Sequence, residues 1–120
     1  MILVDTSIWA DHFRSANEVL TDLLSKQQVM VHPFVIGEIA MGNLRDRANT
    51  LEALSLLPMA VRAEDDEVIA LVESEQLYGT GIGLIDAHLL ASARVTVGAF
   101  LWTKDKRLAQ LADRLGVAFR

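Results

Sequence analysis

The chain has 120 residues, of which 52% are apolar and 22% charged, with a net charge of −5 and no cysteine. A chain of this length buries roughly 65–70% of its unfolded surface, enough for one core, so a single domain spanning 1–120 is expected and disorder is not. The missing cysteines exclude disulfides, thiolate metal sites and a cysteine nucleophile. Met1-Ile2-Leu3-Val4-Asp5 has no basic stretch ahead of an apolar one, and no window has the length and apolarity of a membrane span. The expectation is a cytoplasmic protein.

Met1–Asp5 reads as a short buried strand ending in an acid. Thr6 or Ser7 can cap a helix reaching about Arg14, and Asn17 caps the next, with Val19, Leu20, Leu23 and Leu24 on one face. Val29–His32 is a second strand. Pro33 then opens a helix to Gly42, and Ala48–Leu57 forms a hairpin with it. Met59–Arg62 is predicted as a third strand, and Glu64-Asp65-Asp66-Glu67 starts a helix to about Tyr78. Residues 79–83 form a glycine-rich loop before a helix at Leu84–Val95. Ala99–Thr103 is a fourth strand, Lys104–Leu115 a helix stopped by Gly116, and Val117–Phe119 a short fifth strand. Strands alternating with helices, several apolar throughout, argue for a parallel sheet covered on both faces, a doubly wound α/β domain. Ligands of such sheets bind beyond the carboxyl ends of the strands, where Asp5 and Asp105 are expected to lie.

Three acids stand alone in apolar surroundings. Asp5 is the only charged side chain from Met1 to Ala10. Apart from His32, Glu38 is the only one from Gln27 to Leu44. Apart from His88, Asp86 is the only one from Gln76 to Ala93. Each stretch is expected to pack against the sheet, where an unpartnered carboxylate costs several kcal/mol. Each has a simpler reading. Asp5 can cap the following helix, Glu38 can sit on an exposed stripe, and Asp86 can favour its helix start through the dipole. Three such coincidences together are less economical than one shared cation. Asp105 has an ordinary place in a first helical turn and gains interest only from its position near Asp5. Oxygen donors without Cys or paired His favour Mg²⁺ or Mn²⁺ over Zn²⁺, and such ions suit phosphodiester hydrolysis.

Asp5-Thr6-Ser7, the helical Glu38, the run from Gly81 to Ala93 around Asp86, and Trp102-Thr103-Lys104-Asp105-Lys106-Arg107-Leu108 together resemble the PIN-domain family, most nearly its VapC branch. The likeness runs over essentially the whole chain. It implies a three-layer α/β/α fold with a central parallel sheet of four to five strands. It also implies Mg²⁺- or Mn²⁺-dependent endoribonuclease activity, often on tRNA or a ribosomal RNA loop, with a VapB-like antitoxin as partner and usually a homodimer. Carried onto this chain, the catalytic and metal-site acids are Asp5, Glu38, Asp86 and Asp105, with Asp5 and Asp86 closest to the metal. Thr6 and Thr103 are supporting candidates.

Lys104, Lys106 and Arg107 can contact RNA phosphates or simply solvate a helix start. Trp9 and Trp102 read as core, and His88 as a packing residue or one that supports a site ligand from behind, rather than a general base. The acids at 64–67 are explained by the helix dipole. A phosphoacceptor receiver domain would need paired acids after strand one and an acceptor aspartate ending strand three. Asp5 is single, and the third strand is expected to end near Arg62. A non-catalytic interaction module with the same fold is the other alternative, against which the four acids speak.

Overall fold

The computed structural model describes residues Met1–Arg120. Its elements in chain order are β1 (Ile2–Val4), α1 (Thr6–Arg14), α2 (Glu18–Ser25), β2 (Val29–Met30), α3 (Pro33–Ala40) and α4 (Arg47–Ser55). After these come α5 (Asp65–Ser74), α6 (Leu84–Val95), β3 (Phe100–Trp102) and α7 (Lys106–Arg114). The sheet has the order β2-β1-β3 and is wholly parallel. Ile2 lies opposite Val29 and Phe100, and Val4 opposite Trp102. Ile2, Leu3 and Val4 are all buried although successive side chains point to opposite faces, so helices cover the central strand on both sides.

The sheet is smaller than the four to five strands expected. Met59–Arg62 makes only one bridge, Val31 to Met59, and Val117–Phe119 only one, Leu101 to Ala118. On the first edge Val31 and Ala60 exchange backbone bonds with Pro58 and Val31. The next amide, Val61, then turns to the Thr96 hydroxyl at 3.0 Å and leaves the ladder. Met59 and Val61 are exposed and only the small Ala60 side chain is buried, so little holds this segment in register. The helix expected to reach Tyr78 stops at Ser74, because Gln76 takes a left-handed φ of 54°.

Local chemistry accounts for several boundaries. Asn17 Oδ1 accepts from the Leu20 amide at 3.0 Å and starts α2. The Glu64 amide donates to the Glu67 carboxylate at 2.9 Å, so the acids at 64–67 act as a helix start. Gly116, at φ 75°, ends α7, whose buried face is Leu108, Leu111 and Ala112. One main core joins the sheet to α1, α2, α3, α4, α6 and α7. A small second cluster of Ala63, Val68, Ala87 and Ala91 seats α5 on α6. No helix is long and apolar enough to cross a membrane.

Candidate metal centre

The carboxyl end of β1 runs directly into Asp5, whose carbonyl accepts the Ile8 and Trp9 amides at the start of α1. Its side chain makes no cap bond, which removes the simpler explanation for this residue. Instead Asp5 Oδ2 accepts the hydroxyls of Ser7 and Thr103, each at 2.8 Å. These hydroxyls in turn accept backbone amides of the β3–α7 turn. Lys104 donates to Ser7 at 3.1 Å and Asp105 to Thr103 at 3.0 Å. Asp5 is only 7% exposed, and no lysine or arginine pairs with it. Two neutral donors are a small return for burying a charge.

Glu38 comes from α3, which packs on α1, and its Oε1 accepts the Thr6 hydroxyl at 2.8 Å. Asp86 lies in the first turn of α6, where its Oδ2 receives the Gly83 amide at 3.4 Å. Asp105 caps α7, with Oδ1 accepting Arg107 and Leu108 amides at 2.9 and 3.1 Å. The four acids therefore come from four elements, and each has one oxygen engaged by the protein. Asp5 Oδ1, Glu38 Oε2, Asp86 Oδ1 and Asp105 Oδ2 accept no hydrogen bond from any residue.

That they share one edge is visible in the electrostatics of Asp86. Its carboxyl is pushed above its ordinary value of 3.8, first by burial and then by the negative charges of Asp5, Asp105 and Glu38, while the Gly83 amide works the other way. The expectation that all three isolated acids sit in packed surroundings needs correction. Asp5 is buried, Asp86 half-buried, and Glu38 exposed. The apolar positions Val35 and Ile39 turn inward on α3, leaving Glu38 and Met41 on the open side.

As they stand, no three Asp, Glu or His side chains form a ready cluster for one ion. The donor set nevertheless fits a hard divalent cation. It is all oxygen, carries four negative charges with no paired base, and leaves one oxygen free on each acid. A cation that retains waters can be held by such an edge without contact to every carboxylate.

The surrounding residues divide by partner. Lys104, a candidate for phosphate contact, is tied to Asp11, which also binds Arg14. Lys104 first, and Arg14 with it, hold the Asp11 carboxyl below its ordinary value. Lys106 and Arg107 have no acidic partner. Arg107 lies across Gly81, where a Cβ would sit 2.5 Å from its Nη1. His88 is buried with Nδ1 unpartnered, its ring 4.8 Å from Phe34 and its Nε2 3.7 Å from the Asp65 carboxylate. Trp9 is core, and half-buried Trp102 packs on Phe119. Sequence reasoning noted Ser7 only as a possible cap and missed Asp11. The sole signal for Ser7 was its place two residues after Asp5.

The sequence pattern of the PIN domain matches residues 2–114. The chain is 43% identical over 118 residues to Ribonuclease VapC32 from two strains of Mycobacterium tuberculosis, CDC 1551 / Oshkosh and H37Rv. The match covers 98% of this chain and 95% of each relative. With the parallel α/β sheet and the acids at its carboxyl edge, these similarities lead to one conclusion: the chain belongs to the PIN-domain family, in its VapC branch.

Proposed function

We propose that this protein is a divalent-metal-dependent endoribonuclease that acts as the toxin of a toxin–antitoxin pair. The observation that carries the reading is the set of four carboxylates from four elements, each oriented through one oxygen and free at the other. Its 43% identity to proteins named ribonucleases supports the substrate class.

In this reading Asp5, Glu38, Asp86 and Asp105 hold Mg²⁺ or Mn²⁺, with Asp5 and Asp86 nearest. When bound, the cation neutralises the edge, polarises the phosphodiester and activates water. The chain's own residues supply orientation. Ser7 and Thr103 fix the Asp5 carboxylate, Thr6 fixes Glu38, and the N-terminal amides of α7 fix Asp105. Asp86, with its raised pKa, takes up a proton more readily than an ordinary aspartate, so protons compete with the metal for it as pH falls. Lys106 and Arg107 contact the RNA backbone at the rim, and Lys104 is a weaker contact because Asp11 already engages it. The finer assignments are tRNA or a ribosomal RNA loop as substrate, a VapB-like antitoxin, a homodimer, and a cytoplasmic location.

The test is Asp5→Asn, which keeps the shape and removes the charge. RNA cleavage in Mg²⁺ is expected to disappear while the circular dichroism spectrum stays that of wild type. Undiminished cleavage, against a chelator control, overturns the site. For the toxin role, expression alone should slow growth and co-expression with the neighbouring small gene should relieve it.

A further inference from the structure

Beside the acids is a cavity of about 490 Å³ between α1, α3 and the α3–α4 connection, and it shares Thr6 and Glu38 with the proposed metal centre. That volume lies in the range of small-molecule sites, roughly 300–1,000 Å³. We infer that it is a nucleotide subsite, taking the unstacked base next to the scissile phosphate of single-stranded RNA. The inference rests on the ribonuclease reading above and adds to it where base selection occurs.

Three observations carry it. The first is position: a ligand filling this cavity touches Glu38, so it is held beside the bond to be cut. The second is an aromatic wall. Phe13 is 39% exposed, and its ring stacks on the buried Trp9 indole at 5.8 Å with planes inclined by 26°. The indole stacks on the ring and His12 lies tilted against it at 6.2 Å, while the exposed part of Phe13 lines the cavity, where a base can stack on it. Sequence-specific recognition of RNA relies on such splayed, stacked bases. The third is polar chemistry on the opposite wall. Asn43 offers an amide, Thr50 a hydroxyl, and Arg45 a guanidinium with no acidic partner. Asp46 is the one further carboxylate there. It receives the Asn49 amide at 3.1 and 3.2 Å, and it can accept from an exocyclic base amine. Arg47 binds the carbonyls of Ala40 and Gly42 and so fixes the bend that shapes this wall.

The experiment has two arms. In the first, Phe13→Ala and Asn43→Ala cut a randomised single-stranded RNA pool, and the cleaved positions are sequenced. Phe13→Ala is expected to raise KM about tenfold with a smaller change in kcat. Asn43→Ala, at an exposed position where misfolding is no concern, is expected to flatten the base preference beside the cut. Unchanged KM and unchanged base preference overturn the subsite. The second arm measures binding of a short single-stranded RNA to Asp5→Asn with and without Phe13→Ala, by fluorescence anisotropy. A loss of about tenfold supports the subsite even where cleavage is absent, so failure of the nuclease reading is told apart from failure of this one. Equal RNA binding by both, with loss only of an antitoxin-derived peptide, overturns the subsite in favour of protein docking.

Discussion

The Thr103 hydroxyl donates to Asp5 Oδ2 at 2.8 Å across 98 positions of sequence, and Thr103 Oγ1 in turn accepts the Asp105 amide at 3.0 Å. One side chain thus orients the buried acid and the turn that presents a second. Thr103→Val keeps the volume but removes one of the two hydroxyls on Asp5 Oδ2, leaving Ser7, and takes away the acceptor of the Asp105 amide. It is expected to cost about 1–3 kcal/mol in urea unfolding, the range for losing a hydrogen bond to a charged group, and to lower cleavage. Wild-type stability in that variant would show the bond to be incidental.

Asp86→Asn relieves like-charge repulsion from Asp5, Asp105 and Glu38, which together with burial holds its pKa up. In metal-free buffer it is expected to stabilise the fold by about 0.5–2 kcal/mol while cleavage is lost. The sign in pH follows from the raised pKa. The aspartate is tolerated when protonated and disfavoured once ionised, so wild type loses stability relative to Asp86→Asn as pH rises through that pKa. Thermal melts at several pH values in chelator read this directly.

His32 is fully buried, and burial, helped by the charges of His88 and Arg62, lowers its pKa from 6.5 to about 4. Its Nδ1 accepts the Phe34 amide at 3.0 Å, so the neutral ring caps α3. Above pH 6.5 the folded and unfolded chains are both neutral here. Between 6.5 and about 4 only the unfolded chain takes up the proton, and stability falls as pH is lowered. The full loss is on the order of 3 kcal/mol. His32→Asn keeps an acceptor for the cap and should remove this part of the urea-midpoint slope; an unaltered slope would assign it to other groups.

Gly81→Ala meets two obstacles, a φ of 91° and the Arg107 guanidinium across its Cα. The backbone strain is expected to cost about 1–2 kcal/mol, and the arginine must swing away. Arg107→Ala, which removes no ion pair, is expected to leave stability near wild type. If Arg107 contacts RNA phosphate, the logarithmic salt dependence of RNA binding by Asp5→Asn should fall by about one unit in the double variant. An identical salt slope excludes that contact.

What was legible in the sequence is what local chemistry determines. Asn17 marks the start of α2, Gly116 the end of α7, and the apolar spacing from Leu84 to Val95 gives α6 its full length. The two weak edges were not legible, since Met59–Arg62 and Val117–Phe119 have the composition of strands. Their pairing is decided by distant partners such as the Thr96 hydroxyl. The same division holds at the acidic edge. Asp5 stood out because its neighbours are apolar, and it is buried. Ser7 and Asp11 did not, because Lys104, which binds both, lies 97 and 93 residues away. Nor does helical spacing tell which way Glu38 faces, since that depends on where α1 packs.

β1 is the middle strand of the sheet, yet one of its two neighbours is formed by residues 100–102, and the first amino group bonds to the carbonyl of Gly98 at 3.0 Å. A fragment ending before Phe100 carries three of the four acids but has no β3 to close them against. The acidic edge therefore exists only once residues 100–105 have docked on β1 and Asp5, and its geometry depends on contacts made across 98 positions of chain.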